Sequence, residues 1–457
     1  MTSRGLERAQ QKMRAAGQPD GAIRSFSFAY ERLVGGAQTL LASSELEPVR
    51  DVTELDALPA GDGALAAVAV IKLNGGLATT MGLRSPKSLV QARDGRSFLD
   101  IIVAQTLALR GQLEIRLPLL LMDSEATQDD TLRALAGYPE LSQDLPVDFL
   151  QSMVPKLAAD ELEPISWPSE PALEWCPPGH GDVYGALARS GGLARLVELG
   201  FRYAMIANAD NLGATPDERI AAYMAREQIP FLMEVVEGTA ADRKGGHIAR
   251  RLTDGTLVLR ETAQTPPEDQ ESFRDYRRWR YYNTNNLWVD LRALADTLAQ
   301  HDGVLELPLI VNPKTVDPRD SSSPRVIQLE SAMGAAISSF AGARILRVPR
   351  SRFIPVKTTD DLLVLRSDVY GLSNAALVEP VASRAEDLPL AELDPEHYRL
   401  LDDFEARFPD GPPSLVAAQR LSVHGDVTFG RGVVVQGVVE LEASEPLRIE
   451  DGAVLAG

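Results

Sequence analysis

Residues 68–88 read Val-Ala-Val-Ile-Lys-Leu-Asn-Gly-Gly-Leu-Ala-Thr-Thr-Met-Gly-Leu-Arg-Ser-Pro-Lys-Ser, an apolar strand leading through a Gly-rich turn to a basic Pro-Lys-Ser. Asn74, Gly75 and Gly76 end the strand with residues that tolerate positive φ and let a ligand approach the backbone closely. Thr79, Thr80 and Ser88 add hydroxyl donors, and Lys87 offers a compact ammonium to a phosphate. A triphosphate suits such a loop. The spacing matches neither the G-x-x-x-x-G-K-[ST] of a P-loop nor the G-x-G-x-x-G of a dinucleotide fold. An ordinary strand-turn without a ligand is the plain alternative.

Three further groups of residues carry chemistry. Tyr203-Ala-Met-Ile-Ala-Asn-Ala-Asp-Asn-Leu-Gly213 is an apolar strand ending in Asn208, Asp210 and Asn211. A carboxylate there suits Mg²⁺, which takes few protein oxygens and keeps several waters; a solvated Asx turn is the alternative. Trp175-Cys-Pro-Pro-Gly-His-Gly-Asp-Val-Tyr184 stiffens a loop with two prolines and sets His180 between two glycines. Glu261, after an apolar run, is an acceptor of the type a sugar hydroxyl needs, and the amides of Tyr282-Asn-Thr-Asn-Asn-Leu-Trp288 suit neutral polyols.

Those groups need a frame, and 457 residues exceed what one core fills, so two or three domains are expected. Lys and Arg number 46 against 65 Asp and Glu, for a net charge of −19. That balance argues against nucleic acid or a membrane surface as partner and requires a local positive pocket for an anionic substrate. The seven lysines are Lys12, Lys72, Lys87, Lys156, Lys244, Lys314 and Lys357. Those in Gly- and Pro-marked loops are candidates for phosphate chemistry. Cys176, the single cysteine, excludes an intrachain disulfide and a multi-cysteine metal site and fits a reducing cytoplasm. Neither a signal-peptide core nor a bilayer-spanning apolar run is present, so a soluble cytoplasmic protein is expected.

Up to residue 65 the chain reads as helical and peripheral, with 29–34 and 37–42 at helix-compatible spacing and 59–64 as a linker. From 66 to 370, strand candidates at 68–73, 117–122, 203–208, 230–236, 287–289 and 343–348 alternate with helical patterns at 97–110, 129–136, 216–227 and 330–340. Such alternation predicts an α/β domain with a largely parallel sheet and ligands at the carboxyl ends of its strands. Residues 371–457 form a linker and a distinct tail in which Gly425, Gly432, Gly437 and Gly452 each precede apolar residues. Short strands with tight Gly turns predict a few coils of a parallel β-helix, which covers its ends by association; a small sandwich or meander is the alternative.

The motifs also share an order along the chain. Lys72-Leu-Asn-Gly-Gly-Leu-x-Thr-Thr-Met-Gly, Pro86-Lys-Ser, Pro177-Pro-Gly-His-Gly-Asp, Asn208-Ala-Asp-Asn-Leu, Asn283-Thr-Asn-Asn-Leu-Trp, Gln328-Leu-Glu-Ser-Ala-Met-Gly-Ala-Ala-Ile and Pro349-Arg-Ser-Arg-Phe-Ile-Pro-Val-Lys resemble the eukaryotic-type UTP–glucose-1-phosphate uridylyltransferases. The resemblance runs from about residue 68 to the C-terminus. It implies a Rossmann-like, GT-A-like mixed sheet with a C-terminal left-handed β-helix. It also implies Mg²⁺-dependent, reversible formation of UDP-glucose and pyrophosphate from UTP and glucose 1-phosphate.

Carried over residue by residue, the resemblance places Leu73, Asn74, Gly75, Gly76, Lys87, Gln151 and Gly179 at the nucleotide. It places His180, Asn208, Gly246, Glu261, Asn283 and Asn285 at the sugar phosphate, with Asp210 on the metal. Lys87 and Lys357 are its catalytic lysines, Lys357 at the phosphates of the reacting centre. Which of Asn283 and Asn285 points inward stays open, as does the oligomeric state, since a β-helix either mediates self-association or covers the domain edge. A pyrophosphorylase for galactose 1-phosphate or N-acetylglucosamine 1-phosphate, and a non-catalytic nucleotide-sugar-binding protein, are the competing readings. Three departures stand out: Ala78 for the usual glycine, Gly185 for proline and Asp123 for asparagine. A positive φ at Ala78 would strain the loop by roughly 1 kcal/mol or more.

Overall fold

A computed structural model describes residues 2–36, 40–61, 63–142, 144–239, 242–384 and 388–457; the side chains of Thr2, Ser3 and Thr80 lie outside the described set. The Thr80 hydroxyl and part of the 37–42 and 59–64 segments therefore fall outside it. The central sheet has eleven strands: β1 (Leu46–Pro48), β2 (Thr53–Glu54), β3 (Val68–Leu73), β4 (Leu119–Asp123), β5 (Asp148–Leu150), β6 (Tyr203–Asn208), β7 (Phe231–Glu237), β8 (His247–Arg251), β9 (Leu257–Arg260), β10 (Tyr281–Asp290) and β11 (Arg344–Arg347). Their order is β2-β11-β7-β10-β6-β3-β4-β5, and β8 pairs with β1, β9 and β10.

Strands β6, β3, β4 and β5 are mutually parallel, and β10 runs antiparallel between β6 and β7. Residues Val68 to Ile71 and all of β4 are buried, which is why both segments read as continuous apolar runs. The chain leaves β3 towards β4 and β5, then returns to β6 on the other side of β3. The reversal opens a crevice beyond the carboxyl ends of β3 and β6.

Helix α3 (Phe98–Leu113) covers one face, and the helices Val183–Arg189, Gly192–Glu198 and Leu291–Gln300 cover the other. The Ser97 hydroxyl caps α3 by accepting the Asp100 N–H at 3.1 Å. Helices α1 (Thr2–Ala15) and α2 (Asp20–Val34) pack with Val154, Leu157, Leu309 and Leu329 in a separate core. Residues 1–65 do more than add helices, since they supply β1 and β2 to the sheet. Strands of three and two residues are too short to show a period in sequence. The helical pattern at 330–340 forms only a 3₁₀ turn, Met333–Ser338, whose small buried residues lie under β9.

In the tail, Leu390–Leu393, Ser414–His424, Val434–Glu442 and Val454–Ala456 form one parallel ladder, and Val427–Phe429 pairs parallel with Leu447–Ile449. Partners such as Val427 and Leu447, or Val434 and Val454, stand twenty residues apart. Gly425, Gly432, Gly437 and Gly452 all have positive φ. At Gly425 a Cβ would lie 2.0 Å from the Ala443 carbonyl, so the turn has room for glycine alone. The parallel pairing rules out the antiparallel meander for these strands. Leu421, Val423, Val427 and Phe429 fill the interior and continue the core on the α3 side of the central sheet.

Candidate active site

The crevice beyond β3 and β6 is an open cleft of about 270 Å³. Leu73, Asn74, Gly75, Gly76 and Lys87 line it from the first loop, and Gln151 from the end of β5. Gly179 and His180 line it from the proline-stiffened loop, and Asn208 and Asp210 from the end of β6. With Ser88, eleven of the residues singled out in the sequence thus share one cavity. Gly246, Glu261, Asn283, Asn285 and Lys357 do not line it.

The first loop is folded by its own backbone: Lys87 N donates to Gly76 O at 3.2 Å and Ala78 N to Ser85 O at 3.2 Å. Neither Gly75 nor Gly76 adopts a positive φ. A Cβ at 75 would lie 2.7 Å from Gln151 Nε2 and would displace that amide, whereas Gly76 has nothing within 4 Å. Ala78 sits at φ −79°, so the strain expected if that position needed positive φ does not arise. At Gly185, a Cβ would meet Arg189 Nη1 at 2.4 Å, and that guanidinium holds Asp182 Oδ1 at 2.5 Å and Ser152 Oγ at 2.6 Å. Asp182 Oδ2 in turn accepts the Ser152 N–H at 2.7 Å, fastening the Gln151 strand end to the histidine loop.

Lys87 Nζ donates to Asp210 Oδ2 at 2.7 Å across the cleft, while Asp210 Oδ1 is buried without a hydrogen-bond partner. Ser88 Oγ is likewise buried without one. A half-exposed ammonium, one free carboxylate oxygen and a hydroxyl therefore converge where an anion or a cation would enter. Lys72, beneath them, is fully buried; its Nζ donates to Ala214 O at 2.6 Å, and desolvation, reinforced by the Arg352 charge, pushes its pKa down to about 7.

His180 follows Gly179, whose φ of +81° and tight seat against Ser331 O admit only glycine. Its ring is exposed to the cleft, and the protein around its base lowers its pKa by desolvation. Nδ1 accepts the Met333 N–H at 2.9 Å, a bond that protonation at Nδ1 would destroy. His180 is therefore neutral at pH 7, with Nε2–H left to donate.

The second group lies beside the cleft. Gly246 faces Glu261, whose carboxylate would be 2.6 Å from a Cβ at 246, and Asn283 N donates to Gly246 O at 3.0 Å. Asn285, at φ +57°, sits in an irregularity of β10 and pairs with Asn283 through Asn283 Nδ2 to Asn285 Oδ1 at 2.8 Å. Both asparagine side chains thus lie side by side. Burial raises the Glu261 carboxyl above its ordinary value, and the Lys357 charge opposes that rise.

Sequence reasoning missed the anchor of this wall. Glu234, fully buried on β7, accepts Arg352 Nε at 2.8 Å and Nη2 at 2.6 Å, Asn286 Nδ2 at 3.2 Å and Trp288 Nε1 at 2.9 Å. The only signal was one carboxylate inside Phe231-Leu-Met-Glu-Val-Val. Asn211 belongs to the same anchor, with Nδ2 on Arg352 O at 3.1 Å and Oδ1 accepting Ile354 N at 2.9 Å. Val356 N donates to Asp210 O at 3.2 Å, so the segment bearing Lys357 hangs from the strand end that carries Asp210.

The model of the UTP–glucose-1-phosphate uridylyltransferase family matches residues 25–436. This chain belongs to that family. It is 41% identical over 392 residues to the UTP–glucose-1-phosphate uridylyltransferase of Astragalus penduliflorus, covering 85% of this chain and 80% of the relative. Among solved structures, a mutant UDP-glucose pyrophosphorylase from Leishmania major in complex with UDP-glucose superposes with a TM-score of 0.94 at 43% identity, covering 99% of this chain and 98% of the other. A UDP-glucose phosphorylase from Trypanosoma brucei gives a TM-score of 0.92 at 41% identity, with the same 99% and 98% coverage. The uridylyltransferase signature segments are the ones that build the cleft and the wall beside it.

Proposed function

We propose that this uridylyltransferase-family chain joins UTP to glucose 1-phosphate, reversibly, giving UDP-glucose and pyrophosphate. An oxygen of the sugar phosphate attacks the α-phosphorus of UTP in line, the bond to the bridging oxygen breaks, and pyrophosphate leaves with that electron pair. The nucleophile is already an anion, so the protein must align two polyanions and screen the charge that grows on the transferring group. The observation that carries the reading is the Lys87–Asp210 pair at the centre of a cleft bounded by the Gly75 loop, Gln151 and His180.

In this reading, the backbone of the first loop and Lys87 hold the triphosphate, Gln151 and Gly179 meet the uracil, and neutral His180 and Asn208 donate to the sugar phosphate. Gly246, Glu261, Asn283 and Asn285 take the sugar hydroxyls, and Lys357 reaches the reacting phosphates. The unpartnered Asp210 Oδ1 fits Mg²⁺, which needs few protein oxygens, although no cluster of three or more acidic, His or Cys side chains exists among the described residues. When bound, the ion would neutralise phosphate charge; Asp210 would hold it, and Lys87 would turn from Asp210 to the nucleotide.

The core is read as Rossmann-like and GT-A-like, and the twenty-residue parallel repeat of the tail as coils of a left-handed β-helix on a unit spanning 371–457, after an N-terminal segment to 65 and a catalytic domain of 66–370. Val438 and Val454, 52% and 60% exposed near the last coil, are where a second copy would sit, a point for light scattering. The buried free Cys176 supports a cytoplasmic setting, and no described helix is long and apolar enough to cross a membrane. The deciding assay is pyrophosphate release from UTP with glucose 1-phosphate, galactose 1-phosphate and N-acetylglucosamine 1-phosphate, each with Mg²⁺ and with chelator. Metal-dependent release specific to glucose 1-phosphate is expected, and no release with any sugar rejects the reading.

A further inference from the structure

Asp123 ends β4 directly behind the first loop, where the family usually carries asparagine. It is 0% exposed. Its Oδ1 is within reach of Asn74 Nδ2 at 2.7 Å, Thr127 Oγ1 at 3.0 Å and Thr131 Oγ1 at 3.1 Å, while Oδ2 is buried with no partner. Its backbone O accepts the Gln151 N–H at 2.8 Å, and the next residue, Ser124, donates its hydroxyl to Gly75 O at 3.0 Å. One strand end thus fixes Asn74, Gly75 and Gln151 together.

No cation is bonded to this carboxyl. The charged groups around it are Asp148 on β5, which takes Gln128 Nε2 at 2.6 Å, and Lys72 on β3, whose Nζ is committed to Ala214 O. On α4 (Gln128–Leu135), Asp129 is exposed and Asp130 pairs with Arg133 at 2.7 Å. Each threonine hydroxyl has a second acceptor: Thr131 can donate to Thr127 O at 2.8 Å and Thr127 to Ser124 O at 3.3 Å. With those donors turned to the backbone, a protonated Oδ1 can donate to a threonine oxygen, so the cluster accommodates both a neutral acid and an anion without moving heavy atoms.

We infer that Asp123 is a positioning residue of the nucleotide loop whose two protonation states bind the nucleotide with different affinity, the neutral state more tightly. The inference rests on reading residues 74–76 as the nucleotide loop. An unpaired carboxylate behind that loop repels a diphosphate through protein rather than water, and protonation removes the repulsion. Burial pushes this carboxyl up to about 6 against the bonds from Asn74, Thr127 and Thr131, with Asp148 adding to the rise, which sets the window.

The test is calorimetric titration of the full chain with UDP-glucose, without metal, from pH 5 to 8, for the wild type and Asp123→Asn. The diphosphate of UDP-glucose does not titrate there. The wild-type Kd should rise about fivefold from pH 5 to 8 with its midpoint near 6, while the isosteric asparagine variant stays flat within about twofold. A slope retained in Asp123→Asn assigns it to another group, such as Lys72, and overturns the inference. A flat wild-type profile overturns it whether or not the variant folds. Absence of UDP-glucose binding at every pH instead rejects the assignment of the nucleotide loop itself.

Discussion

The two walls of the site each rest on a carboxylate with no exposed surface, and the two are held in opposite ways. Glu234, behind the Asn283 and Lys357 side, is neutralised by a two-pronged Arg352 guanidinium and two further donors. Asp123, behind the first loop, has only uncharged donors and one oxygen with none. A compensated buried charge is a fixed strut, since removing either partner strands the other. An uncompensated one can shed its charge instead, so it responds to pH.

The largest effect should come from breaking the strut. Glu234→Ala should lower unfolding stability by about 3–5 kcal/mol, read from chemical denaturation, because the Arg352 guanidinium is left buried and alone. An unchanged midpoint would show that the pair contributes no net stability and dissolve the contrast. Lys357→Ala, on the segment the strut supports, should cut turnover about 100-fold with the melting temperature unmoved, the scale of losing one charge stabiliser in a transition state. A collapse in melting temperature with specific activity intact would sink that assignment.

On the other wall, Asp123→Asn should stabilise the protein at pH 8 by about 2–3 kcal/mol and leave it unchanged near pH 2.5. The sign follows from the pKa raised to about 6 in the folded chain. Well below the unfolded carboxylate value of about 3.8 both states are protonated and no penalty exists; it builds as pH rises from there to the folded value, where the unfolded chain ionises and the native one does not, and is complete above about 6. Equal denaturation curves at pH 8 would place the two carboxylates in one class. The smallest effect separates the two glycines: Gly75→Ala should raise the KM for UTP about fivefold by displacing the Gln151 amide, the worth of one net hydrogen bond, whereas Gly76→Ala should change it little.

This contrast also marks what could be read from the sequence. The first loop, the histidine loop and the end of β6 were legible because each is a contiguous run with a strand and a turn, and their meeting in one cleft follows from parallel strands ending on one side. Glu234 was not legible, since a single carboxylate in an apolar strand has no period, and its partner Arg352 lies over a hundred residues away. Helices were well marked where apolar faces recur, as at 97–110. The pattern at 330–340 misled because alanine and glycine pack as readily in a 3₁₀ turn, and β1 and β2 were too short to register. In the tail, recurring Gly signalled the tight turns and the parallel strands between them, and the pairing is parallel throughout.

The hydrogen bond from Val356 N to Asp210 O places a pivot one residue before Lys357. An arm pinned so near its tip moves with Asp210, and side-chain rotation is the freedom Lys357 keeps of its own. Any push on Asp210 is transmitted to Lys357 through a single peptide unit, which makes the two residues one mechanical part.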